Sequence, residues 1–198
     1  IRAEPWAIRT VVNALRQSRF EPDGINPAGY DHRWVRGDAQ IDVLTPDFLG
    51  PNLLDRRHPG LGRLLPTRGA QLALNRTRRV TVRVDDFELE VNRPDLVGAL
   101  YGKCSALLVS LDLSKDRHLS DIAALAAVVG PSDRRELLKL RRRERRRIIH
   151  GLTRAMGSDD VSDSQRQVLD RLSALLTSSL DAVQNGPGVD GDTSPRRR

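Results

Sequence analysis

Cysteine is nearly absent from this chain. Cys104 is the only one among 198 residues, which excludes a disulfide within the chain and a cysteine-built metal site. Aromatic residues are scarce at 4%, so base stacking is not expected to drive binding. The longest apolar run, Ile122 to Val129, falls far short of the roughly 20 residues that span a bilayer, and no membrane partner is expected. No secretory leader stands out. With the lone thiol, that points to a reducing, cytoplasmic setting. The chain begins at Ile1 and enters a helical pattern almost at once, so its natural beginning is expected to lie upstream. There is no Walker-type phosphate loop, no dinucleotide fingerprint and no His-Glu-x-x-His. His32, His58, His118 and His150 have no second histidine or cysteine at ligand spacing, and His32 reads as a packed or rim residue.

What is abundant is basic charge. Lys and Arg number 33 against 26 Asp and Glu, a net charge of +7, and the pI is about 10.6. Such a balance favours an anionic partner, a nucleotide or a nucleic acid. Hydrophobic residues at 38% and charged ones at 30% permit a modest core. The length suits one domain with an appendage or two small ones.

Two stretches alternate like strands. Gly29 to Pro46 is expected to form a hairpin around Gly37-Asp38. That turn pairs Arg36 with Ala39, Val35 with Gln40, Trp34 with Ile41, Arg33 with Asp42 and His32 with Val43. Trp34, Ile41, His32 and Val43 make the core face. Asp42 then stands in an otherwise apolar Ile-Asp-Val-Leu strand, where an acid is either paired, here with Arg33, or functional. Asp47 to Gly69 reads as irregular, and Gly60 to Arg63 is a weak candidate phosphate nest. Arg79 to Asn92 is the second hairpin, turning at Asp85-Asp86. It pairs Val84 with Phe87, Val82 with Leu89 and Val80 with Val91 on a face expected to pack on the core. Arg83–Glu88 and Thr81–Glu90 lie on the other face.

Helical periodicity marks Pro5 to Arg19, Asp95 to Val109, Lys115 to Val129, Pro131 to Met156 and Val161 to Val183. On the second of these Lys103 shares the stripe of Leu96, Leu100 and Leu107. A lysine there is either paired with Asp116 or Asp121, extended to water, or a phosphate ligand. Gly98, Gly102 and Ala106 form a small-residue row beside it. Between Arg134 and Arg147 stand nine Lys or Arg and two Glu. That stretch is a solvated face or a surface for nucleic-acid phosphates or an acidic protein. The expected architecture is α+β. It comprises a mixed sheet of hairpins with packed helices over 1–130, a helical C-terminal region over 131–184, and a disordered tail over 185–198.

Several of these motifs occur together in a known order. Phe20 to Gly50, with Asp42 in a hydrophobic-Asp-hydrophobic-hydrophobic strand, resembles the middle of abortive-infection-type (AbiEii-like) nucleotidyltransferases of toxin–antitoxin pairs. Lys103-Cys104-Ser105-Ala106 and Lys115-Asp116 through Asp121-Ile122 are similar to the two helical motifs that follow it in that family. The resemblance covers roughly residues 5–150. It implies Mg²⁺-dependent transfer of a nucleotide from an NTP to an acceptor such as tRNA, with a cognate antitoxin protein as a further partner. It implies Asp42 as a metal carboxylate and Lys103 as a triphosphate contact. Asp121 would orient that lysine or the acceptor, and Arg33 and Asp116 would contribute to nucleotide binding. The family's opening Gly-Ser turn and Asp-x-Asp strand have no counterpart here. The expectation is therefore a chain inactive alone. The rival is a non-enzymatic binding module that uses the Arg-rich segment 134–147.

Overall fold

Two hairpins and a stack of helices make up most of the regular structure among the described residues. The computed structural model describes residues 8–27, 29–47, 62–63, 65–108 and 115–184. Helix α1 spans Ile8–Gln17 and buries Ile8, Val12 and Leu15, the 3/4 spacing that gives a helix one apolar side. That side meets Phe20, Trp34 and Val43 in a small core of its own.

Strands β1 (Glu21–Pro22), β2 (Arg33–Arg36) and β3 (Ala39–Asp42) form an antiparallel sheet in the order β1-β2-β3. The β2–β3 register is the expected one, Arg33 opposite Asp42 through Arg36 opposite Ala39. Gly37 supplies the positive φ of 54° that the turn requires. Beyond the ladder the Val43 N–H donates to the His32 carbonyl at 2.7 Å. The hairpin is shorter than expected, because β4 (Leu44–Pro46) leaves it. It pairs in parallel with β5 (Leu65–Thr67), a strand within the segment expected to be irregular. Helix α2 (Ala70–Asn75) was likewise not expected. Both elements are too short to show a period.

Strands β6 (Thr77–Val84) and β7 (Phe87–Pro94) pair antiparallel over their full length, in the expected register. Their apolar face does not pack on the core. Val84, Phe87 and Leu89 are 52%, 74% and 45% exposed. The alternation fixes which side chains share a face, but among the described residues no helix covers this one.

Helix α3 (Leu96–Ala106) starts on Asp95, whose carboxylate accepts the Gly98 N–H at 2.8 Å, an N-cap bond. The small-residue row does permit close packing. A Cβ on Gly98 would stand 3.4 Å from the Ala73 Cα of α2. Helix α4 spans Lys115–Ala127. The expected single helix from Pro131 to Met156 is two, α5 (Pro131–Lys139) and α6 (Arg142–Met156). Leu140 and Arg141 are extended between them, with ψ of 150° and 152°. Buried Leu140 turns into the core, and the Glu144 carboxylate accepts the Arg141 N–H at 2.8 Å, starting a new helix. An unbroken helix would also set Lys139 alongside Arg143, a like-charge i,i+4 pair. Helix α7 covers Asp163–Gln184.

Helices α3 to α7 share one core, with Leu100, Cys104, Ile122, Leu137, Ile148, Leu152, Leu169 and Leu176 at its centre. Gly151 lets α6 close on Cys104, whose Sγ would collide with any Cβ there. Burial pushes that thiol up to about 12, so it is inert packing. The chain is α+β, with small antiparallel and parallel sheets and a helical C-terminal region. Among the described residues no helix is long and apolar enough to cross a membrane.

Candidate functional site

Between the first hairpin and the face of α3 lies an open cleft of about 1010 Å³. Its size is that of a pocket for a small organic ligand. One wall comes from His32, Arg33 and Asp42 at the open end of β2–β3, followed by Leu44 and β5. The other comes from Gly98, Gly102 and Lys103 of α3 and from Arg117 and His118 of α4. Ala73, Leu74, Thr77 and Asn92 close it where α2 meets the root of the second hairpin.

Asp42 and Lys103 lie far apart in sequence and line this one cleft. Asp42 reaches it because β3 ends there. Arg33 donates through Nε to Asp42 at 3.0 Å, across the strand pair that the register dictates. Lys103 is 39% exposed and its Nζ lies 2.5 Å from an Asp121 oxygen. The α3 stripe therefore carries the lysine at its wet edge, and the pairing comes from the next helix. Both ion pairs are solvated, so each contributes on the order of 0–1 kcal/mol. Asp121 acts on the cleft through Lys103. Asp116 sits exposed in the first turn of α4 and is not among the residues that line the cleft. The Gly60–Arg63 nest falls mostly outside the described residues, as do His58 and the tail.

Two residues that the sequence left without a role also line the cleft. His32 and His118 are both buried. For His32, burial lowers the pKa below 6.5, and nearby Arg33 adds to that, while Asp42 and Asp31 pull the other way. The imidazole is held neutral, and its Nδ1 has no hydrogen-bond partner among the described residues. The only signal in the sequence was position, since His32 and Asp42 flank the same strand end.

Among the described residues, three cations, Arg33, Lys103 and Arg117, and two acids, Asp23 and Asp42, line the cleft. Guanidinium and ammonium groups beside a neutral imidazole suit an oxyanion such as phosphate. Metal binding fits less well. Mg²⁺ is held by carboxylates acting together with phosphates. Asp42 is already shared between Arg33 and the Gln40 amide. Among the described residues no group of three His, Cys, Asp or Glu stands close enough to hold an ion. These residues alone do not make a Mg²⁺ site.

A separate ion-pair cluster fixes the cleft floor. Arg76, at the end of α2, donates through Nε to both Asp95 oxygens at 3.0 and 2.9 Å, and its Nη2 meets Glu136 of α5 at 3.3 Å. The Asp95 N–H donates to the Arg76 carbonyl at 2.8 Å. Burial alone would raise the Asp95 pKa, but the bonds from Arg76 and the Gly98 N–H outweigh it and hold the carboxyl below its ordinary range.

No protein-family model, no curated protein and no solved structure gives a significant match to this chain. The likeness to AbiEii-like enzymes rests on the short motifs alone.

Proposed function

We propose that this chain is a nucleotidyltransferase-like protein whose cleft holds a nucleotide. The phosphates lie against Lys103, Arg33 and Arg117, and the base lies against the apolar wall at Leu44, Leu65 and Leu74. The observation that carries this reading is the meeting of Asp42 and Lys103 in one cleft. Those two residues were singled out separately, each for its polarity within an apolar pattern. Transfer to an acceptor such as tRNA, the part of Mg²⁺ and a cognate antitoxin partner belong to the same reading and rest on the motif resemblance. A metal would need carboxylates beyond Asp42, so the described residues bind and orient a nucleotide rather than complete a transfer.

The test is calorimetric titration of the protein with ATP, GTP, CTP and UTP, each with and without Mg²⁺. At least one should bind, and Lys103→Ala should weaken it about tenfold or more, in line with loss of a charged hydrogen bond. Its melting temperature should shift little, because the Lys103–Asp121 pair is exposed. Equal affinity in wild type and Lys103→Ala, or no binding of any nucleotide, overturns the reading.

A further inference from the structure

The arginines of segment 134–147 do not share one face, and the break at Leu140–Arg141 sorts them. Arg145 is buried and donates through Nη1 to the Ser179 hydroxyl of α7 at 2.7 Å. Arg147 stacks over Tyr101 of α3, 5.6 Å from the ring centroid, and donates to its hydroxyl at 3.0 Å. These two hold α6 to its neighbours. Arg142, Arg143, Arg146, His150 and Arg154 are exposed, and their spacing of three and four places them on one stripe of α6. With Arg141 at its start the stripe runs about 20 Å, at 1.5 Å per residue.

Three features decide what this stripe fits. Glu144, the acid within this stretch of α6, spends its carboxylate on the Arg141 N–H, and Arg141, Arg143, Arg146 and Arg154 present their guanidinium groups on the exposed side. The exposed large apolar residues among those described are Ile25, Val84, Phe87, Leu89, Leu108 and Val128, none of them on α5 or α6. A protein interface of ordinary affinity is anchored by buried aromatic or aliphatic side chains, and this surface offers none. The cations of the stripe are all arginines, whose planar fork matches phosphate oxygens.

We infer that the exposed stripe of α6 is a sequence-independent docking surface for a nucleic-acid backbone. Its length corresponds to about six base-pair steps of a duplex at 3.4 Å each. It contacts phosphates rather than reading bases, since no Asn, Gln, Phe, Tyr or Trp stands on it. The surface is separate from the cleft and does not depend on the cleft holding a nucleotide.

The experiment is fluorescence anisotropy with a labelled mixed-sequence DNA duplex of about 20 base pairs, between about 50 and 200 mM salt. Four phosphate contacts predict a slope of log K against log salt of about −3 to −4. The triple variant Arg143→Gln, Arg146→Gln, Arg154→Gln should bring the slope to about −1, and Arg141→Gln alone should reduce it by about one. Arg83→Gln, on the second hairpin, should leave it unchanged. An unchanged slope in the triple variant overturns the proposal. So does a duplex that fails to bind at the lowest salt, or binding of polyglutamate without binding of the duplex, which would mark an acidic protein as the partner.

Discussion

The two hairpins alternate with equal regularity, and their fates differ. The first has Trp34 and Val43 at 0% exposure beneath α1. The second holds Phe87 at 74% and is fixed at its root, where Arg76 and Asp95 flank the Thr77–Pro94 pair with two backbone-linked charges. One hairpin is stabilised across its face and the other at its base. Register is a local property, set by the turn and by side-chain alternation. Burial is not local, because it depends on which element packs above. The buried hairpin is the one that presents His32, Arg33 and Asp42 to the cleft, so the site inherits its rigidity.

The largest effect should come from the face of the first hairpin. Trp34→Ala should cost about 3–5 kcal/mol, the usual loss for a large buried aromatic, and denaturant unfolding measures it. Trp34→Phe should cost far less, because the Trp34 Nε1 has no partner among the described residues. Equal losses in the two variants would mean that the indole N–H, not the packing, holds the face.

Next is the root of the second hairpin. Asp95→Ala removes the α3 N-cap and the main partner of Arg76, and should cost about 2 kcal/mol. Asp95 has its pKa lowered in the folded state. Its contribution is therefore complete above the ordinary carboxylate value, about pH 4, and is lost as pH falls through the lower folded value. Acid unfolding of Asp95→Ala should lack that component. An unaltered acid transition would leave the hairpin root without its assigned anchor.

His32 sharpens the comparison from the first hairpin's side. Its pKa is lowered from 6.5 by burial, so folding disfavours the imidazolium. Stability is complete above about pH 6.5 and falls as the pH drops from there toward the lower folded value. The loss is at most about 1.4 kcal/mol per pH unit. The groups acting on the ring are Asp42, Arg33 and Asp31. His32→Gln should flatten stability between about pH 7 and 5. A slope retained in that variant would assign the effect to another group.

The smallest effect belongs to the face of the second hairpin. Leu89→Asp should change stability by no more than about 0.5 kcal/mol, as for other surface substitutions. A loss of several kcal/mol would show that something covers this face in solution.

Much of the fold was legible because it is local. Both registers and the periodic helices follow from turn chemistry and spacing. The α5–α6 break was written in Leu140 and Glu144, but nine basic residues in a good helical pattern concealed it. Strand β5 and helix α2 are too short to carry a period, and they form by packing against β4 and α3. Of the site, Asp42 and Lys103 stood out as charges in apolar patterns. Asp121 was legible as one of two acids at the start of α4, and it is the one that pairs with Lys103. His32 and His118 were not legible as neighbours of one cleft, since only the tertiary fold brings β2 and α4 together.

The most direct measurement of the cleft's role is chemical-shift mapping of backbone amides during titration with ATP. The cleft reading predicts shifts concentrated at His32, Arg33, Asp42, Gly102, Lys103 and Arg117, with Phe87 of the second hairpin and Arg146 of α6 unmoved. Shifts confined to α6 around Arg142, Arg143 and Arg146, with Lys103 and Asp42 silent, would contradict it.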